Sequence, residues 1–406
     1  MSITGDDITI GARLRELRLW RHMTLAEVAG LAGVTPAYLS MAERGLRPLD
    51  RRSIISALAA ALRVSETELT GGPHLGTDPQ QAGPHTAIPA LRIALATNAL
   101  GEPAVDRARP LPEVTADLET LRSEYAAGDY LRIGQALPGL LDELYFHVSD
   151  PVDEIGRVAA ATALAEACRW SAAMCHNLRY PDLSQFAARA AVDAARLTGD
   201  PVRLAMAQHE RIGTAPRAWD RSLVMAERTA NALEPHVRNP LDFQVLGMLT
   251  LRCALSAAAV QNGSLADHWL GEAQALADRV NDDNPACNWE WFGATNVAIW
   301  RVAVAVERGE SGRAVLELAS GADPAKLVVA TRRAALCLDV GRGLARDRTT
   351  REEAAVWLRR AESAAPQWIR NYAPAREAVA FLLTRARATA GGRELRGMAA
   401  RMSVPH

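Results

Sequence analysis

The stretch from Thr24 to Gly45, TLAEVAGLAGVTPAYLSMAERG, leaves a chain little freedom in how to fold. Thr24 is a good N-cap and Glu27 lies three positions on, the spacing of a capping box. Met23 before the cap and Val28 after it are placed to close a hydrophobic staple. Val28, Ala29 and Ala32 make one apolar face. Gly33, with no Cβ, can take a left-handed turn cheaply. Thr35 then caps a second helix, and Pro36 takes its first position, where a missing N–H costs nothing. Leu39 and Ala42 aim that helix at a core, which leaves Pro36, Ala37, Ser40, Met41 and Arg44 on its outer face. The pattern suits either an ordinary helical hairpin or a helix-turn-helix, whose second helix fits a DNA major groove.

The flanks favour the second reading. Ile10, Leu14, Leu17 and Trp20 recur at helical spacing with arginines between them, so residues 10–20 read as an amphipathic helix. Ile54, Ile55, Leu58, Ala59 and Leu62 define another over 52–62. A fifth helix begins after Ser65, with Glu68 completing a second capping box and Val64 and Leu69 a second staple. From Arg13 to Arg63 there are nine arginines (13, 15, 18, 21, 44, 47, 51, 52 and 63) against four acidic residues (Glu16, Glu27, Glu43 and Asp50). The whole chain of 406 residues carries a formal charge of only −1, so the basic excess is local. Arginine–phosphate contacts supply most non-specific DNA affinity. Arg44, Arg47, Arg51 and Arg52, beside the exposed helix, are the phosphate candidates.

Residues 10–70 resemble the Cro/cI-type (XRE) helix-turn-helix domain of phage repressors. The matching positions are Ala29, Gly33, Val34, Leu39, Glu43 and Gly45, then the run ALAAALRVSETEL. The resemblance implies a compact five-helix, λ-repressor-like domain. It also implies a structural pair between Arg18 and Glu43, and base reading from Pro36, Ala37, Ser40 and Met41. Those four are smaller and less polar than the Gln, Asn or Arg often found there. Ala37 and Met41 can touch thymine methyls and Ser40 can bond either kind of base edge, so direct readout is sparse and DNA shape carries more of the specificity. Tyr38 points either to the DNA backbone or to the core. Leu25 replaces a polar residue that commonly holds a phosphate. The expected DNA-contacting set is Thr24, Thr35, Pro36, Ala37, Tyr38, Ser40, Met41, Arg44, Arg47, Arg51 and Arg52.

Residues 71–87, GGPHLGTDPQQAGPHTA, hold four glycines and three prolines and no apolar period, so they read as a flexible linker. That sets domains at 1–70 and 88–406. From Ile88 onward the chain is a succession of helical patterns without alternating β-branched runs, which makes the protein all-α. Helices are expected near 88–100, 111–127, 129–148, 152–179, 183–198, 201–213, 219–235, 241–262, 265–281, 291–308, 311–320, 325–346, 351–364, 369–390 and 393–402.

The second domain resembles a degenerate tetratricopeptide (TPR) array, in which small residues let paired helices approach and the stack offers a concave face. Ala354, Ala361 and Pro366 fit the repeat's spacing, as do Ala266 with Ala273 and Gly309 with Ala314; Ala188 and Ala195 fit less well. The whole chain resembles actinobacterial regulators in which an XRE domain precedes a TPR-like one. The stretches PALRIALATNAL, LPGLLDELYFHV, FGATNVAIWRVAVAVERG and ELRGMAARM carry that likeness. It is more distantly similar to the peptide-sensing quorum regulators called RRNPP proteins, whose inner face clamps a peptide with asparagines. An amide suits that job because it donates and accepts at once. Asn296, Asn262, Asn231 and Asn177 are the candidates here. Trp289, Trp291 and Phe292 form an aromatic cluster before Asn296 that serves either the core or an effector.

Five cysteines without a CxxC pair, and no leader-like or membrane-spanning apolar run, point to the cytoplasm, on the nucleoid when DNA is bound. Cys168 and Cys175 share a helical face and read as core. No HExxH, GxSxG, P-loop or GxGxxG occurs, and the scattered histidines suggest no metal site, so neither catalysis nor a cofactor is expected. The reading is a homodimeric, sequence-specific transcription regulator of double-stranded DNA, controlled by a peptide, small-molecule or protein effector. The alternative is a protein-interaction adaptor whose helix-turn-helix no longer reads DNA.

Overall fold

The structure is a computed structural model that describes residues 9–72, 82–215, 218–280, 292–386 and 390–404. Five helices form the first domain: α1 (Ile10–Trp20), α2 (Leu25–Leu31), α3 (Pro36–Glu43), α4 (Arg52–Leu62) and α5 (Glu66–Thr70). Thr24 Oγ accepts from the Glu27 N–H while the Glu27 carboxylate accepts from the Thr24 N–H, so the capping box that starts α2 is closed. Gly33 takes φ +67° at the bend, and Thr35 caps α3 with Pro36 in its first turn. Gly11 explains how close α1 and α3 lie: a Cβ there would meet the Ala42 carbonyl oxygen at 2.1 Å. Leu14, Val28, Ala29, Leu39, Leu58 and Leu62 are the centre of this small core. Trp20 departs from its expected place on the apolar face of α1. It is 66% exposed, with the Arg21 guanidinium 4.5 Å over its ring.

The rest of the chain is a repeat-like array of helices: α6 (Ile88–Thr97), α7 (Leu111–Ala127), α8 (Tyr130–Ser149), α9 (Glu154–Asn177), α10 (Pro181–Arg196), α11 (Pro201–Thr214), α12 (Trp219–Leu233) and α13 (Pro240–Ala259). It continues with α14 (Gly263–Ala277), α15 (Ala294–Arg308), α16 (Arg313–Ala319), α17 (Ala330–Arg346), α18 (Arg351–Ala364), α19 (Pro366–Ile369), α20 (Ala373–Leu383) and α21 (Ala390–Arg401). No strand occurs among the described residues; one isolated bridge joins Ala99 and Glu102. The fold is therefore all-α, with a repeat-like helical array behind the helix-turn-helix. Neighbours pack as hairpins, most closely α9 on α10, α13 on α14 and α17 on α18. Ala188, Ala195, Ala266, Ala273, Ala354 and Ala361 are buried between such pairs, where a larger side chain would force the helices apart. Ala314 is exposed instead.

Three expectations are corrected. Ordered packing begins before Ile88: Gly83–Ala87 is a 3-10 turn whose Pro84, His85 and Ala87 are buried, and His85 Nδ1 lies 3.0 Å from the Tyr180 hydroxyl. The single helix expected over 369–390 is broken around Arg370–Tyr372: Pro374 has no N–H to bond back to the Arg370 carbonyl, so it sits in the first turn of a new helix, with Tyr372 extended at the N-cap. One apolar helix does reach membrane-spanning length: α13 has a mean hydropathy of 1.2 over 18 residues, 78% of them buried inside the protein. Its Val245, Met248, Leu249 and Leu251 form core instead.

Candidate nucleic-acid interface and effector cavity

The face of α3 expected to meet DNA is built from inside outward. Leu39 and Ala42 anchor α3 in the core, and Arg18 fastens its C-terminal end, donating to both oxygens of Glu43 at 2.6 and 2.8 Å. The third donation from Arg18, to the Met23 carbonyl at 3.0 Å, ties the same arginine to the turn before α2. With its inner face held, α3 turns the rest outward. Thr24, Thr35, Pro36 and Ala37 are exposed, and Ser40 and Met41 half so. Tyr38 goes inward: its hydroxyl donates to the Pro48 carbonyl at 3.4 Å, and burial pushes its pKa up to about 12. That leaves it packing against the core rather than free to reach a backbone phosphate.

The four loop arginines divide. Arg44 and Arg47 are exposed beside α3. Arg51 and Arg52 point the other way, into the helical array. The Arg51 guanidinium lies against Gly309. Arg52 Nε donates to the Tyr372 hydroxyl at 3.1 Å and its Nη2 lies 3.6 Å from Asp339. In this arrangement Arg52 is off the surface that a duplex would meet, contrary to expectation. Charge composition shows how many arginines a segment holds, not which side of α4 they leave from.

These two arginines belong to a buried polar seam between the domains. Helix α4 has no capping side chain of its own at Arg51. Glu307, from the end of α15, supplies one: its carboxylate accepts from the N–H of Arg52 at 3.2 Å, the N–H of Ser53 at 2.8 Å and the Ser53 hydroxyl at 2.6 Å. Burial works against the charge on Glu307, but Arg52, Arg342 and the Ser53 bonds outweigh it and hold the carboxyl below its usual range. Asp50 is gripped by Arg346 at 2.9 Å and by Arg342, whose Nη2 also donates to the Asp50 carbonyl. Glu377 accepts from the Leu49 N–H at 3.2 Å; burial first, then Asp50, raises its pKa to about 7. Arg385 donates to the carbonyls of Gly45 and Leu46. The array thus grips the first domain along residues 45–53 and leaves the outer face of α3 uncovered.

Against the inner side of that seam lies a cavity of about 230 Å³. His209 and Gly213 of α11, Arg252 and Ser256 of α13, Trp300 of α15 and Arg332 of α17 form much of its wall. Arg52, Asp339 and Tyr372 close it on the side of the first domain. The amide candidates fare unevenly here. Asn177 lines the cavity and donates to the Tyr130 hydroxyl at 2.6 Å. Asn296 is 1% exposed on the core side of α15, donating to the Met248 sulfur at 3.3 Å. Asn262 caps α14 at the surface, and Asn231 is exposed. Phe292 packs against Gly247 in the core. Trp289 and Trp291 lie outside the described residues. The cavity's residues come from helices far apart in sequence, so no local motif could have gathered them. A single clue was readable, a glycine within α11: a Cβ on Gly213 would stand 2.8 Å from an Arg252 nitrogen.

Residues 9–70 match the model of a family described as a helix-turn-helix domain. The N-terminal segment is a helix-turn-helix domain. No curated protein matches the chain. Among solved structures, Bacillus thuringiensis PlcR in complex with the peptide PapR7 and DNA aligns at 10% identity and a TM-score of 0.26, over 67% of this chain and 95% of that one. That likeness is too loose to carry any argument about this chain.

Proposed function

We propose that the protein is a sequence-specific DNA-binding transcription regulator whose helical array holds an effector in the cavity behind the domain seam. One observation carries the reading: the outer face of α3 is uncovered, with Arg44 and Arg47 exposed beside it, while its inner face is locked by Leu39, Ala42 and the Arg18–Glu43 pair. A helix held on one side and free on the other is what a major groove admits. Ala37 and Met41 meet thymine methyls, Ser40 meets a base edge, and Arg44 and Arg47 meet phosphates on either side. A two-fold dimer would set its two α3 helices about 34 Å apart, on successive major grooves. The effector site supports control of this surface, because the same α4 that follows the recognition loop also closes the cavity.

Selection of bound fragments from a genomic library, followed by footprinting, tests the reading. The expected result is a pseudo-palindromic site with half-sites about 10 base pairs apart, protected in the major groove. Recovery of fragments with no common sequence would favour an adaptor in which the helix-turn-helix is only a scaffold.

A further inference from the structure

We propose that the cavity binds a small organic anion with a flat apolar body, and that Arg52 makes the DNA-binding domain one wall of that site. This deepens the effector reading and rests on it.

The wall chemistry points to an anion. The guanidinium carbons of Arg252 and Arg332 lie 5.3 and 6.0 Å from the centre of the Trp300 ring. His209 is buried, with its Nε2 lying 3.4 Å from an Arg252 nitrogen. Burial and then the charges of Arg252, Arg332 and Arg169 hold its pKa well below the usual value. The imidazole is neutral, and the field around it is positive. The wall holds three arginines (Arg52, Arg252 and Arg332) and two acids (Glu210 and Asp339), and Asp339 is already engaged by Arg342 and Arg52. Ser256 is fully buried, and its hydroxyl has no hydrogen-bond partner among the described residues. A buried hydroxyl left in that state carries a desolvation cost, which an anionic oxygen accepting its hydrogen bond in the cavity would recover. Trp219, Trp300 and Trp368 supply flat surface for the body of the ligand.

The wall also carries the coupling. Arg52 reaches the cavity from α4 and is held there by Tyr372 and Asp339. An anion in the cavity adds a second attraction to Arg52, so it binds the docked arrangement more tightly than an undocked one. By linkage, docking strengthens the ligand to the same degree.

The test uses the full chain and three probes of one shape: 2-naphthoate, 2-naphthylmethanol and 2-naphthylmethylammonium. Binding is followed by calorimetry and by tryptophan fluorescence. The proposal expects saturable binding of the naphthoate, at least about tenfold tighter than the alcohol, and none of the ammonium. Arg252→Gln and Arg52→Gln should each weaken the naphthoate by about tenfold or more and leave the alcohol unchanged. Ser256→Ala, a change small enough to keep the fold, should weaken it by a few-fold. Equal binding of all three probes, or no saturable naphthoate binding by the folded wild type, overturns the proposal. A DNA titration in the same buffer separates the two claims. DNA binding without naphthoate binding sinks the anion site alone, and naphthoate binding without DNA binding sinks the regulator reading alone.

Discussion

Arg18 and Glu43 are both nearly buried, and each satisfies the other. Removing one partner strands a charge in the core, whereas replacing both with apolar residues removes the problem. Arg18→Ala should therefore destabilise the first domain by about 3–5 kcal/mol, and the double change to Met and Leu by much less, as read from urea unfolding. Glu377 behaves differently. Its folded pKa, about 7, lies above the ordinary carboxyl value, so the docked state binds more protons than the undocked one. The stability it lends is fully present below about pH 4.5 and is lost as pH rises through about 7. Limited proteolysis of the full chain at graded pH, compared with Glu377→Gln, checks this. The wild type should open more readily above pH 7 and the variant should show a flatter profile. At this scale the sequence was readable where the relevant partner lay close along the chain or in a shared motif, as with Thr24–Glu27 and Arg18–Glu43. Arg52 was misplaced because its partners, Tyr372 and Asp339, lie nearly three hundred residues away or more.

Helices whose capping and apolar period agreed were legible almost to their ends, and α4 buries the five residues expected of it. What propensity could not show is that α4 takes its N-terminal cap from another domain. Glu307→Ala should cost about 1–2 kcal/mol and expose the Arg52 and Ser53 amides to faster hydrogen exchange, while Glu307→Gln, which still accepts, should cost less. Amides at the start of α2, capped by its own Thr24, should keep their protection in both variants. If those of α4 did so too, the carboxylate would be no cap. The break near Tyr372 was written in the sequence as Pro374, but the apolar pattern running through it outweighed a single residue. The cavity illustrates the opposite limit. Its residues come from helices spread along the whole array, and only the stacking of those helices brings them to one place.

The whole molecule is a helix-turn-helix domain and a helical array joined along a seam built largely from polar groups, with Ala373 of the array in the first domain's core. Arg342 is fully buried in that seam, and several of its neighbours are charged. Charges there contribute little net stability, because desolvation offsets most of their attraction, but they define one register of docking. Such a seam can be loosened by the loss of a single partner. It also leaves α3 outward, so in this arrangement the array does not need to move for a duplex to approach. The central claim is that approach, with Arg44 and Arg47 on the phosphates. Its most direct test is the dependence of DNA affinity on salt, measured for the full chain and for the Arg44→Ala/Arg47→Ala double variant. The account predicts a steep wild-type slope that flattens by about two units in the variant, about one for each lost phosphate contact. A slope that the variant leaves unchanged, or a wild type indifferent to salt, would contradict it.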